Sequence, residues 1–296
     1  MGRSDRAGVL QFLQSNAGDD EADLATRRER MDKLAEFFPL PDGAEVEPAM
    51  LGGVKGEWVR VKHARDDAVL LYLHGGGYVL GSSKSHRHLV AAIGAASGVS
   101  VFSADYRLAP EHPFPAAVDD GVAVYKALLD SGIAANKIAI AGDSAGGGLT
   151  LATLLAARDK GLPMPACAVA ISPWADLAQG GEAYRTRAKR DPMITKDGLD
   201  EMASAYLGGA DAKTPLASPA YANFKGLPPL LIQVGTEEAL HSDAETVKAR
   251  AEEAGVEVSF ESWAGMVHVW HAFHPILSEG RDAVARIGSY LKAHIA

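Results

Sequence analysis

The sequence predicts an α/β protein with a mostly parallel sheet of about eight strands, covered by helices on both faces. Short apolar runs alternate with amphipathic stretches of helical period along most of the 296 residues. The runs are too apolar for strands with one face in water, which indicates strands buried between two helical layers. One globular domain with insertions fits this length.

The strands and helices follow one another in a regular order. Residues 45–51 and 56–63 alternate apolar and polar side chains, as half-exposed edge strands do. Six more apolar runs are expected to form the other strands, at 68–73, 99–104, 137–142, 166–172, 229–235 and 256–263. The amphipathic stretches expected to form helices between and after them lie at 85–97, 117–132, 148–161, 242–255 and 281–295.

Two segments lie outside this alternation. Residues 1–45 contain two amphipathic helical stretches before the sheet begins, and residues 176–220 separate two core strands and contain one more helix. Long connections within a compact domain are uncommon and usually functional. We therefore expect residues 1–45 to form the N-terminal part of a helical cap and residues 176–220 its second part, inserted between core segments at 46–175 and 221–296.

The composition argues against several classes of partner. The formal net charge is −9, from 38 acidic and 29 basic side chains, and no block of Lys or Arg forms a basic stripe. Nucleic acid and membranes are therefore not expected as partners. The sequence has neither an uninterrupted apolar run of about 18 residues nor a signal-peptide-like segment, which predicts a soluble cytoplasmic protein. The single cysteine, Cys167, lies in an apolar run and is expected to be a small core residue.

Residues 142–146 read Gly-Asp-Ser-Ala-Gly, a G-x-S-x-G pattern at the end of an apolar run. Such a pattern is typical of a tight strand-to-helix turn that exposes its serine, here Ser144, at the carboxyl end of a strand. The flanking glycines leave space that side chains would fill. The alternative is a glycine-rich turn in which the serine caps a helix, and this pattern by itself leaves both interpretations open.

A second glycine-rich stretch, His-Gly-Gly-Gly at residues 74–77, follows the run at 68–73. Consecutive glycines allow backbone N–H groups to point into one concavity, as an oxyanion requires. Gly76 and Gly77, together with Ala145 after the serine, are the expected donors. A phosphate-binding loop is disfavoured, because no Lys-Ser/Thr pair follows and no G-x-G-x-x-G spacing is present.

A serine hydroxyl needs a base that takes its proton and a carboxylate that orients the base. The order serine, acid, histidine places the acid after the run at 229–235, where Glu237, Glu238 and Asp243 are available. The histidine is expected after the run at 256–263, where His268 comes first.

The remaining histidines are expected to be structural. His271 and His274 follow His268 at helical spacing, but no H-E-x-x-H motif accompanies them, so a metal site is disfavoured. Neither a metal nor a cofactor is expected. The histidines that show no such surroundings in the sequence are His63, His86, His88, His112, His241 and His294.

Taken together, the motifs resemble those of the hormone-sensitive-lipase-like carboxylesterases (bacterial family IV) of the α/β-hydrolase fold. The matches stand in family order across nearly the whole chain: His-Gly-Gly-Gly at 74–77, Asp-Tyr-Arg-Leu-Ala-Pro-Glu at 105–111, Gly-Asp-Ser-Ala-Gly-Gly at 142–147, Ser-Pro-Trp at 172–174 and Asp-Pro-Met-Ile at 191–194. The resemblance implies this fold, with a helical cap over an acyl pocket.

The resemblance also implies roles for the candidate residues. Ser144 would be the nucleophile, and His268 first the general base and then the general acid. Many members carry an aspartate in an Asp-Pro-Leu-x-Asp pattern, where this chain reads Glu238-Ala239-Leu240. Leu240 sets the register and favours Glu238 over Glu237 as the acid. The oxyanion donors would be Gly76, Gly77 and Ala145.

Two groups of polar residues near these motifs are expected to be structural. Ser242 and Glu245 have the spacing of a capping box at the start of the next helix. Asp105, Arg107 and Glu111 are interpreted as a buried polar brace under the glycine loop, and not as catalysts.

We expect a carboxylesterase that hydrolyses short-chain acyl esters by a Ser-His-Glu triad and an acyl-enzyme intermediate, with a small-molecule ester as its partner. Two alternatives stay open: amide or lactone hydrolysis by the same residues, and a non-catalytic small-molecule receptor on the same fold. The receptor is disfavoured because Ser144 and His268 are both present. The run at 256–263 is the expected contact of a homodimer, since an edge strand has unpaired backbone groups.

Overall fold

The computed structural model describes residues 2–15 and 22–295 of the chain. Within these residues, eight strands form one sheet. The strands are β1 (Glu45–Leu51), β2 (Val54–Arg60), β3 (Arg65–Leu73), β4 (Val99–Ala104), β5 (Ile138–Asp143), β6 (Cys167–Ile171), β7 (Leu230–Gly235) and β8 (Val258–Trp263).

The sheet is parallel except at one edge. Its strand order is β1-β2-β4-β3-β5-β6-β7-β8. The pairs β1–β2 and β2–β4 are antiparallel, and each pair from β4 to β8 is parallel. The prediction of a mostly parallel sheet of about eight strands is therefore confirmed, and the carboxyl ends of β3, β5, β6, β7 and β8 meet at one edge.

Helices cover both faces of the sheet. In the described ranges they are α1 (Gly2–Ser15), α2 (Leu24–Ala35), α3 (Ser83–Ser97), α4 (Ala116–Asp130), α5 (Ala145–Asp159), α6 (Ala183–Thr186), α7 (Lys196–Leu207), α8 (His241–Glu253) and α9 (Ser278–His294). Helices α4, α5 and α8 pack on one face, and α3 and α9 on the other. None of these helices is both long and apolar enough to cross a bilayer.

The core lies on both sides of the central strands. Neighbouring residues of β3 show this, because Leu71 belongs to the apolar cluster under α4 and α5 and Leu70 to the cluster under α3 and α9. Every residue of β5, β6 and β7 is buried, including Cys167, as their continuous apolar runs predict. The functional side chains lie just beyond the carboxyl ends of these buried strands, which fix the positions of the loops that carry them.

Helix α2, which precedes the sheet, contacts both the insertion at 176–220 and the loop after β3. Arg27 of α2 donates a hydrogen bond of 2.8 Å to Glu201 of α7. Arg28 of α2 donates to the carbonyl oxygen of Val79, just beyond the glycine loop, at 2.9 Å. Helix α2 is thus attached both to the insertion and to the core.

The expected capping box at Ser242 and Glu245 is wrong. The N-cap of α8 is Leu240, two residues earlier, and no side chain caps the helix. The backbone oxygen of Leu240 accepts the N–H groups of Asp243 and Ala244. Oε2 of Glu245 lies 3.3 Å from Nδ1 of His241. Ser242 therefore lies inside the first turn, where its side chain cannot reach the position of a cap.

The expected brace of Asp105, Arg107 and Glu111 is also wrong as a buried unit. Arg107 and Glu111 are exposed, because the loop after β4 runs over the surface. Arg107 pairs with Asp120 and Glu111 with Arg28. Only Asp105 is largely covered, and it accepts hydrogen bonds from Ser83 at the start of α3. A different set of side chains braces the glycine loop.

Candidate active site

Ser144 occupies a strained turn between β5 and α5. Its φ of +53° and ψ of −123° are values that residues with a side chain rarely adopt. Its N–H donates to the oxygen of Ile171 and its oxygen accepts from the N–H of Trp174, both at 2.9 Å. A Cβ at Gly142 or at Gly146 would collide with neighbouring backbone oxygens. The flanking glycines are therefore needed for the strand and helix to approach each other.

The glycine loop at 74–77 lies beside this turn. Gly76 and Gly77 have φ values of +115° and +63°, and both line one cavity with Ser144. A Cβ at Gly76 would collide with the oxygen of Leu80, and a Cβ at Gly77 with the sulfur of Met202. Within the described residues, the N–H groups of Gly76, Gly77 and Ala145 donate to no acceptor. Three N–H donors are thus available at the serine.

Among the three acids that the sequence offers, Glu238 contacts His268. Its Oε2 lies 2.9 Å from Nδ1 of the imidazole, and both side chains are buried. Glu237 instead pairs with Arg190 at 2.8 Å, and buried Asp243 accepts bonds from two backbone N–H groups and a tyrosine hydroxyl. Because an ionised carboxylate only accepts, Nδ1 of His268 carries the proton and Nε2 is the basic nitrogen.

The pair has an electrostatic consequence for His268. Burial by itself would lower the pKa of the imidazole, but the hydrogen bond and the charge of Glu238 outweigh burial and raise it. The carboxylate thus favours the imidazolium form, which a base acquires when it takes a proton from a hydroxyl.

Asp143 and His86 form the brace that lies under the glycine loop. Asp143 precedes Ser144, and its carboxylate accepts the N–H of Gly75 at 3.1 Å and the hydroxyl of Tyr72 at 2.7 Å. Nε2 of His86 lies 3.3 Å from the same carboxylate. Burial would raise the pKa of Asp143, but the charge and hydrogen bond of His86 and the bond from Tyr72 lower it to about 2. His86 therefore has a specific partner, which its sequence surroundings did not indicate.

The histidines after His268 have separate partners. Nε2 of His271 lies 2.7 Å from the amide oxygen of Gln233, and the ring of His274 stacks on that of His88 at 5.9 Å. Over residues 2–15 and 22–295, no three His, Cys, Asp or Glu side chains are grouped as metal ligands would be. His271 and His274 are packed within the protein, as expected for residues without a catalytic part.

The cavity has a volume of about 260 Å³, with Ser144 and His268 in its wall. The N-terminal segment and the insertion at 176–220 both contribute apolar side chains to its wall. The loop after His268 contributes further apolar side chains. Apolar residues of this wall include Phe12, Phe38, Met193, Leu199, Met202 and Phe273. The site can therefore hold a small apolar molecule against the serine.

Two residues in the family motifs contact the acid loop, although the sequence suggested no role for them. The hydroxyl of Ser172 donates to Oε1 of Glu238 at 2.8 Å. Asp191, in the cap insertion, accepts the N–H of Ala239 at 2.9 Å. The motifs at 172–174 and 191–194 mark both residues in the sequence. The motifs do not show which partners these residues contact, because the partners lie far away along the chain.

Comparisons with known proteins show the family of the chain. A protein-family model described as alpha/beta hydrolase fold matches residues 70–272. The chain is 47% identical over 287 residues to an acetyl-hydrolase of Streptomyces hygroscopicus, covering 96% of this chain and 95% of that protein.

Solved structures are similar over the whole chain. An esterase from the bacterial hormone-sensitive lipase family is 44% identical, with a TM-score of 0.97 and 100% coverage of both chains. EstE5, solved after soaking with p-nitrophenyl butyrate, is 47% identical, with a TM-score of 0.95, covering 100% of this chain and 99% of that one. This chain therefore belongs to the α/β-hydrolase family, in its branch of hormone-sensitive-lipase-like esterases.

Proposed function

We propose that the protein is a serine carboxylesterase that hydrolyses short-chain acyl esters, with Ser144, His268 and Glu238 as its catalytic triad. One observation carries the proposal: His268, whose imidazole contacts the buried carboxylate of Glu238, lines the cavity that also exposes Ser144 and the glycine loop. The base, its orienting carboxylate and the hydroxyl are the parts that acyl transfer requires.

The reaction follows from the positions of the protons. Nε2 of His268 takes the proton of Ser144 as Oγ attacks the ester carbonyl, and the negative oxygen is held by the N–H groups of Gly76, Gly77 and Ala145. The imidazolium then gives its proton to the departing alkoxide, which leaves as the alcohol. Water attacks the acyl-enzyme with the same base, and the acid and free Ser144 are released.

The cavity supports a preference for short acyl chains. Its volume of about 260 Å³ lies below the range of roughly 300–1,000 Å³ that is typical of drug-sized ligands. Met202 lines it, with its sulfur beside Gly77. Two relatives agree with small acyl groups, since one is named an acetyl-hydrolase and another was soaked with p-nitrophenyl butyrate.

The nucleophile is tested with Ser144→Ala. We expect kcat for p-nitrophenyl butyrate to fall on the order of 10⁵- to 10⁶-fold, because attack on the ester is lost. A matched control is Ser103→Ala, since Ser103 is fully buried and its hydroxyl has no partner within the described residues. Retention of most of the rate by Ser144→Ala would contradict the mechanism.

A rate series tests the substrate class. With p-nitrophenyl esters of increasing acyl length, turnover should be highest at short chains and should begin with a burst of p-nitrophenol equal to the enzyme concentration. Faster turnover of long-chain triglyceride than of butyrate esters would contradict the short-chain proposal. Stoichiometric binding without release would instead indicate a receptor, and faster cleavage of matched amides or lactones would indicate the other hydrolase class.

A further inference from the structure

Residues 171–174, at the end of β6 and just after it, contact the loops of all three proposed triad residues. The oxygen of Ile171 and the N–H of Trp174 bind the backbone of Ser144, as described above. Between them, Ser172 donates its hydroxyl to Glu238 Oε1 at 2.8 Å. The same hydroxyl oxygen accepts the N–H of Val269, the residue after His268, at 3.3 Å. One short segment therefore connects three loops that are distant in the sequence.

The hydroxyl of Ser172 is fully buried, and its backbone is strained. Ser172 has no exposed surface and a φ of +45°, a left-handed value that is uncommon for a residue with a side chain. Such strain persists only where surrounding contacts hold it, and it is often found at functional sites. The N–H of Ser172 donates to the oxygen of Gln233 at 2.7 Å, and its hydroxyl contacts Glu238 and the loop of His268.

The two oxygens of the Glu238 carboxylate have different partners. Oε2 faces His268, whereas Oε1 accepts from Ser172 and from the N–H of Gly235. A Cβ at Gly235 would collide with the oxygen of Met266 and press on Oε1 of Glu238. The absence of a side chain at 235 thus leaves space for the carboxylate.

We propose that Ser172 is a positioning residue, which holds the Glu238 carboxylate and the His268 loop in the alignment that catalysis requires. The inference rests on the proposed function and deepens it. Ser172 is not among the described residues that line the cavity, so it acts through Glu238 and His268 and not on the substrate. Its hydrogen bond both fixes the rotation of the carboxylate and stabilises the carboxylate charge.

Ser172→Ala tests this role through the pH dependence of the reaction. With one donor lost, the carboxylate charge is less stabilised, so the Glu238–His268 pair binds its proton more tightly. We expect the acid limb of the kcat/KM profile to move up by about one pH unit. We also expect kcat at the optimum to fall about ten- to hundredfold, with KM nearly unchanged.

Two further variants separate positioning from folding. Ser172→Gly lacks the hydroxyl but tolerates a positive φ, so it should show the same shift of the acid limb even where the alanine variant folds poorly. Ser103→Ala, another buried serine, should leave the profile unchanged. Combining Ser172→Ala with Glu238→Ala should cost little beyond Glu238→Ala alone, because no carboxylate is left to position.

The inference is overturned if both Ser172 variants keep the acid limb of the wild type, or if Ser172→Ala costs the same factor with and without Glu238. Either result would leave Ser172 as a structural turn residue. Failure of the proposed function looks different, because the wild-type protein would then release no p-nitrophenol from any ester of the series.

Discussion

Nε2 of His86 lies 3.3 Å from the carboxylate of Asp143, the residue before Ser144. A buried negative charge next to the glycine loop would oppose the negative oxygen that forms there during acyl transfer. Burial lowers the pKa of His86, but the charge and the hydrogen bond of Asp143, with smaller contributions from Ser82 and Asp32, together raise it, while the pKa of Asp143 is lowered to about 2. The pair therefore favours the imidazolium form of His86, whose charge would offset the carboxylate that holds Gly75.

His86→Gln should both destabilise the protein and slow the reaction. It leaves the Asp143 carboxylate buried without a counter-charge, which typically costs about 3–5 kcal/mol of the free energy of unfolding. Urea denaturation and kcat for p-nitrophenyl butyrate measure the two effects. His112→Gln is the control, because His112 is exposed. An unfolding free energy equal to that of the wild type would show that the pair contributes nothing.

The same pair predicts how stability depends on pH. The pKa of His86 is raised in the folded protein, so its stabilising contribution is complete below the pKa of the unfolded chain, about 6.5. This contribution is lost as pH rises through the folded pKa. The difference in unfolding free energy between wild type and His86→Gln should therefore shrink at alkaline pH. A difference that stays constant from pH 6 to pH 10 would contradict this assignment of charge.

The activity should fall on the acid side at a pH set by His268. The base must be neutral to accept the proton of Ser144, and Glu238 raises its pKa above the ordinary value of about 6.5. We expect the acid limb of kcat/KM to have its midpoint above 6.5. Glu238→Gln removes the charge, so the midpoint should move down while kcat falls about 10⁴-fold. A wild-type midpoint at or below 6.5 would contradict the raised pKa.

Gly77→Ala should damage the oxyanion donors. The new Cβ would collide with the sulfur of Met202, and the φ of +63° is strained for alanine. Movement of the N–H should lower kcat by about 10²- to 10³-fold. Gly161→Ala is the matched control, with a φ of +73° and no atom within 4 Å of its Cβ position. If Gly77→Ala retains as much activity as Gly161→Ala, the N–H of Gly77 is not needed to hold the oxyanion.

We propose that two chains associate through β8, an edge strand of the sheet. The oxygens of Glu257 and Trp263 accept N–H groups of the chain around β7, so the backbone groups of the alternate residues, Ser262 among them, face outward. Light scattering should give twice the mass of one chain. Ser262→Pro removes one outward N–H and should shift the mass toward the monomer. A monomer mass for the wild type would contradict the proposal.

The sheet was predictable because each buried strand needs a continuous apolar run, and this requirement is local. Strands β5, β6 and β7 lie where the runs at 137–142, 166–172 and 229–235 predict them. The N-cap of α8 was missed by two residues, because Leu240 and not Ser242 occupies it and no side chain accepts the first N–H groups. The end of a helix depends on which single group accepts its first N–H bonds, whereas the existence of the helix depends on its whole apolar face.

The sequence by itself determined the turn at Ser144 and the glycine loop, because positive φ values and the lack of space for a Cβ demand glycine within a few residues. The register of Leu240 in the family motif favoured Glu238, but only the tertiary structure shows its carboxylate in contact with His268, 30 residues away. It alone paired His86 with Asp143, across 57 residues. The order of strands in the sheet brings such side chains together. A local sequence pattern cannot predict these contacts, because the two partners lie far apart along the chain.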